Sequence, residues 1–136
     1  MDNMFKNAYS LTSIDFTNFN TTKETNMSKL FFYCNKLLFL DLSSFNTINI
    51  KDMSNMFDRC RSLTNFDLYN FHTPNLTNMA ETFSHCDKLL SINISNFDTS
   101  RVINMHTLFL GCISLTSLNL SNFNAGKVQL ILDIFW

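Results

Sequence analysis

The stretch Leu89-Leu90-Ser91-Ile92-Asn93-Ile94-Ser95-Asn96-Phe97-Asp98-Thr99, continued through Asn104-Met105-His106-Thr107-Leu108-Phe109-Leu110-Gly111-Cys112 to Ser114, is one full period of a pattern that fills the chain. Its cysteine has counterparts at Cys34, Cys60 and Cys86, each 26 residues from the next. The same step of 26 relates Leu11, Leu37, Leu63, Leu89 and Leu115, and also Phe19, Phe45, Phe71, Phe97 and Phe123. It relates Phe5, Phe31, Phe57, Phe83, Phe109 and Phe135, and Met1, Met27, Met53, Met79 and Met105, with Ile131 closing that row. No insertion or deletion breaks the register. A period of this length marks an array in which each unit needs its neighbours to bury its apolar faces.

Within the period, Ile92 and Ile94 alternate with Asn93 and Ser95, as a strand with one buried face requires. Met105, Leu108, Phe109 and Cys112 fall at offsets 0, 3, 4 and 7, the spacing of one helix face. The expected fold is therefore an α/β repeat solenoid of about five 26-residue coils. A parallel β-sheet forms one face and short helices the opposite face. The whole of 1-136 reads as one domain, with a partial unit at 1-10, units at 11-36, 37-62, 63-88 and 89-114, and a partial unit at 115-136. Since both ends fall inside a unit, the chain is expected to be a fragment of a longer array or a shortened gene product.

In the third unit the expected inward positions are Leu63, Phe66, Leu68, Phe71, Leu76, Met79, Thr82, Phe83 and Cys86. With only two glycines and one proline, the corners must rely on Asn, Asp and Thr, which bond their own backbone. Asn20-Thr21, Asn46-Thr47, His72-Thr73 and Asp98-Thr99 occupy such a corner.

Bulk properties narrow the function. The chain is 46% hydrophobic and 15% charged with a formal net charge of −1, apolar enough for a core and without the basic face of a nucleic-acid binder. No apolar run approaches the roughly 18 residues of a membrane span. Met1-Asp2-Asn3-Met4-Phe5-Lys6 has neither the basic nor the apolar region of a signal peptide.

Phrases such as Leu115-Thr116-Ser117-Leu118-Asn119-Leu120-Ser121-Asn122-Phe123 and the run from Asn104-Met105 to Cys112 resemble the BspA-like leucine-rich repeats of bacterial surface proteins. The nearest form is the 26-residue variety of mycoplasma lipoproteins and surface proteins of low-GC Gram-positive bacteria. The resemblance covers essentially the whole chain. It implies a right-handed leucine-rich-repeat-type coil, a place on the cell surface or outside the cell, and a role in adhesion. It carries no catalytic residues to transfer. A lipobox, a wall anchor and capping units have no counterpart here, and Glu24 stands where other units have Ile50, Leu76, Val102 and Val128.

Four cysteines at one per unit invite a disulfide or metal reading, since stacked units bring Cα atoms to about 5 Å. Metal sites, however, gather ligands at short spacing, and these cysteines lie on the apolar face, where a free thiol packs as a small hydrophobe. A ladder of buried thiols is expected, with no metal and no cofactor. His72, His85 and His106 occupy three different positions of the period, so they do not converge as a catalytic group must. Asp15, Asp41 and Asp67 share one outward position that continues as Asn93 and Asn119. A calcium site on that row is the lesser reading beside a solvated stripe.

The outward strand face is otherwise Ser, Thr, Asn and Asp, interrupted by Leu38, Phe39 and Tyr69 where other units carry Thr12, Ser13 and Ser43. Exposed aromatics on a rigid polar face suit an interaction site. Leu38, Phe39, Asp41, Asp67 and Tyr69 are accordingly the candidate ligand-binding residues. At the other end, Ile131, Ile134 and Phe135 are expected inward, while Leu132 and Trp136 look like a surface for a further coil or a makeshift cap.

The function this reading favours is a non-catalytic protein-binding or adhesion module of a bacterial surface protein. Its partner would be a protein, such as a host surface protein, met through the strand face. The alternative is a structural spacer or self-assembling fragment that associates end to end. No enzyme activity, nucleic acid or direct membrane span is expected.

Overall fold

The conformation turns on segments such as Met27 to Cys34, where the 0, 3, 4, 7 spacing suggests a helix. A computed structural model describes residues 1–135, and among these there is no helix. Two three-residue strands, β1 (Ser91–Asn93) and β2 (Ser117–Asn119), pair in parallel. Ser91 lies opposite Ser117, Ile92 opposite Leu118 and Asn93 opposite Asn119. The expected α/β solenoid, with its helical wall, its continuous sheet and its leucine-rich-repeat coil, is overturned by this arrangement.

The backbone dihedrals give the reason on the side read as helical. Asn3, Lys29, Asn55, Glu81, Thr107 and Asp133 have φ between 48° and 57°, and Asn7, Tyr33, Arg59, His85 and Gly111 between 52° and 71°. A left-handed residue every four positions cannot belong to a right-handed helix. The amides then divide their partners. Those of Met27, Lys29, Phe31 and Tyr33 donate to the carbonyls of Asp52, Ser54, Met56 and Asp58 in the next unit, each at 2.9 Å. Those of Leu30, Phe32 and Cys34 donate three residues back, to Met27, Lys29 and Phe31, at 3.3, 3.1 and 3.0 Å. A helix would satisfy every amide inside its own segment. Here alternate amides leave it, and a chain of tight turns results. The apolar spacing still works, because Met27, Leu30, Phe31 and Cys34 are all fully buried.

On the opposite side the strands are short because side chains intercept the backbone. Asp15, Asp41, Asp67, Asn93 and Asn119 each accept the amide two residues on, at 2.8, 2.9, 2.7, 3.1 and 3.0 Å. Such a bond bends the chain out of the ladder within a few residues. Parallel bridges nevertheless link Asn26 to Asp52, Asp52 to Asn78, Asn78 to Asn104 and Asn104 to Leu130, all 26 apart.

Two features bind one unit to the next from inside. Phe5, Phe31, Phe57, Phe83, Phe109 and Phe135 stack face to face with centroids 5.3 to 5.7 Å apart, the offset-stacked range that benefits aromatic pairs. At the corner, Thr21, Thr47, Thr73 and Thr99 are buried. Their hydroxyls donate to the carbonyls of Asn46, His72, Asp98 and Asn124 at 3.0 to 3.3 Å. The corner asparagines and aspartates also cap their own backbone, as Asn20, Asn46 and Asp98 do for Thr22, Ile48 and Ser100.

Of the inward positions named for the third unit, Phe66 is only partly buried and the others are buried. Ile131 and Phe135, expected inward, are 48% and 54% exposed, because no later segment of the described chain covers them. Ile134 is partly buried, Leu132 is exposed, and Trp136 lies outside the described residues.

Candidate functional site

Phe39 and Tyr69 stand on the strand side, each 64% exposed, with Leu38 beside them at 61%. Both aromatics depart from the repeat at positions whose side chains point outward, so the same alternation that buries Leu40 and Leu42 sends Phe39 to solvent. Phe39, Asp41 and Ser43 are common to the linings of two recesses. The first, of about 350 Å³, is lined by Ile14, Asp15, Phe16, Thr17, Phe39 and Asp41 together with Ser43 and Ser44. The second, of about 200 Å³, runs from Phe39 and Asp41 across Phe66 and Asp67 to Tyr69 and Asn70.

The structure thus brings together Phe39, Asp41, Asp67 and Tyr69. Leu38 is exposed but lines neither recess. Asp15 was missed as a site residue although it shares the row of Asp41 and Asp67, and its place in that row was the signal that could have found it. Asn65 and Asn70, also in the second lining, carry no signal, since asparagine recurs throughout the outward face.

All three aspartates are exposed. The Thr17 hydroxyl and amide hold the Asp15 carboxyl below its ordinary value. Ser43 does the same for Asp41 through its amide and hydroxyl, against an opposing push from the Asp15 charge. Both groups are therefore carboxylates at neutral pH. One oxygen of each aspartate in the row is committed to its turn, which leaves the other directed to solvent. Among the described residues no group of three or more His, Cys, Asp or Glu is placed to hold a metal ion.

The cysteines form free thiols. Those of Cys34, Cys60, Cys86 and Cys112 donate to the carbonyls of Phe5, Phe31, Phe57 and Phe83 at 3.0 to 3.2 Å. Burial pushes Cys34 and Cys112 up to about 11 and drives Cys60 and Cys86 well above the ordinary thiol value. A buried thiol held protonated is a poor nucleophile and a poor metal ligand. His72 is exposed while His85 and His106 are half-buried. The His85 ring packs over Gly111, where an added Cβ would lie 2.5 Å from its Nδ1. Burial and then the neighbouring Arg59 lower the His85 pKa.

No helix of the described residues is long and apolar enough to cross a membrane. No curated protein and no solved structure matches the chain. One family matches it twice, over residues 1–89 and again over 64–136. Those two segments overlap and together reach from the first residue to the last, so the chain belongs to the family described as Mycoplasma protein of unknown function, DUF285.

Proposed function

We propose that this chain is a non-catalytic protein-binding module, and that its partner docks on the strand side across Phe39 and Tyr69. The observation that carries the reading is the pair of 64% exposed rings flanking the smaller recess. Removing such rings from water on binding supplies affinity, and the polar groups around them fix the orientation of the partner. The likeness of the repeat to BspA-like surface proteins agrees with display outside the cell and with adhesion to a host or neighbouring-cell protein. Candidate catalytic groups do not converge on this side: the recesses hold carboxylates, hydroxyls and amides, with no histidine, cysteine or lysine in either lining.

The test is adhesion of the purified chain to cultured host cells and to immobilised extracellular-matrix proteins, with Phe39→Ser and Tyr69→Ser alongside. Both substitutions restore the residue type that other units carry nearby or at that position, so the fold is expected to survive. Loss of adhesion by about tenfold or more on substitution is the expected result. Adhesion unchanged by the double substitution would remove this site from consideration.

A further inference from the structure

We infer that the two recesses lined in common by Phe39 and Asp41 receive the lysine or arginine side chains of a basic polypeptide segment. The inference rests on the proposed docking site and specifies the chemistry of its occupant.

Three observations converge on that chemistry. First, Asp41 shares a unit with Phe39 and Asp67 shares one with Tyr69, while the unit of Asp15 carries Ser13 and Thr17 at those positions. Aspartate fills the outward row at 15, 41 and 67, and gives way to Asn93 and Asn119 in the units that also carry Ser91, Ser95, Ser117 and Ser121 in place of Phe39 and Tyr69. Second, the negative charge is unanswered. The ion pairs among the described residues are Met1 with Glu24, Arg59 with Asp58 and Arg61 with Asp87, and none involves this row. The Asp15 charge opposes ionisation of Asp41 in the next unit. A cation placed between them relieves that repulsion. Third, the walls are mixed. Asp15 and Asp41 line one recess, Asp41 and Asp67 the other, and the Phe39 ring is common to both.

A lysine or arginine side chain matches all three. Its aliphatic stem packs along the Phe39 and Tyr69 faces, its charge lies over a ring in cation–π geometry, and its head reaches the free carboxylate oxygens. A neutral peptide would leave the carboxylates unpaired, and an acidic one would be repelled.

The test uses a capped ten-residue peptide of alternating lysine and glycine, with its glutamate–glycine counterpart as control. Binding to the full chain is followed by NMR shifts and by titration calorimetry. The expected result is saturable binding of the lysine peptide alone, weakening as salt rises, with shifts centred on Phe39 and Tyr69. Asp41→Asn with Asp67→Asn should weaken it about tenfold. Asparagine preserves the turn, because Asn93 and Asn119 make the same bond.

The outcomes separate the two readings. Binding lost on Phe39→Ser but indifferent to the asparagine pair overturns the basic partner and leaves the docking site standing. Binding indifferent to Phe39→Ser and Tyr69→Ser overturns both. Equal binding of the two peptides, or none at millimolar concentration, refutes the charge argument. Peptide-free self-association abolished by the asparagine pair would make the occupant a second copy and overturn the inference.

Discussion

Replacing Asp58 by asparagine should stabilise the protein at neutral pH and make no difference in acid. Asp58 is only 3% exposed, and its Oδ1 has no hydrogen-bond partner. Its Oδ2 accepts from Asn55 Nδ2 at 3.3 Å, and the Arg59 Nε is 3.9 Å from Oδ1. Burial pushes the carboxyl up from 3.8 to about 6, a larger effect than the opposing pull of Asn55, Arg59 and Arg61, while Glu81 adds a further push. The folded state therefore holds the proton more tightly than the unfolded chain does. The corresponding stability is fully present below about pH 4 and is lost as pH rises through 6. A shift of roughly two units corresponds to on the order of 3 kcal/mol at pH 7.

Asp58→Asn removes the charge and keeps the shape, so it should recover up to about 3 kcal/mol at pH 7. The advantage should shrink through pH 5.5 and vanish near pH 4. Urea unfolding of both proteins at the three pH values, followed by circular dichroism, measures this directly, because groups common to both cancel in the difference. Equal stability at pH 7 would refute the argument. So would a gain that persists unchanged at pH 4, which would assign it to packing and not to charge.

Two further outcomes follow from the core. Phe57 is fully buried and stacked between Phe31 and Phe83, so Phe57→Ala should cost about 3–5 kcal/mol in denaturant unfolding; a loss below 1 kcal/mol would mean that the phenylalanine ladder is not a packed core. A thiol reagent in native buffer should leave Cys34, Cys60 and Cys86 unmodified, modify Cys112 slowly, and titrate all four in denaturant, since only the thiolate reacts. Rapid modification of all four in the native protein would contradict their burial.

The candidate site is legible in part in the sequence. Phe39 and Tyr69 showed as departures from a repeat whose other copies carry small polar residues, and alternation alone put them outside. The recesses were not readable, because they depend on how adjacent units approach each other. Asp58 was equally hidden. Its position is held in the other units by Lys6, Phe32, Ser84 and Leu110, so no pattern marks it as inward.

What the sequence by itself determined is the register and the inward set. A step of 26 without a gap specifies which residues become neighbours, and the apolar positions at offsets 0, 3, 4 and 7 specify which of them are buried. Tertiary structure decided the conformation that achieves this. Successive tight turns place those offsets on one side much as a helix does, so periodicity cannot tell them apart. The distinguishing signal would be glycine at the left-handed positions, yet among the described residues Gly111 alone supplies it, and the first row holds Asn3, Lys29, Asn55, Glu81, Thr107 and Asp133. Non-glycine residues there cost about 1–3 kcal/mol each, and the offset comes from amides that bond the neighbouring unit, as Lys29 does to Ser54 and Glu81 to His106. Those partners lie 25 residues away in sequence, where no local propensity can reveal them.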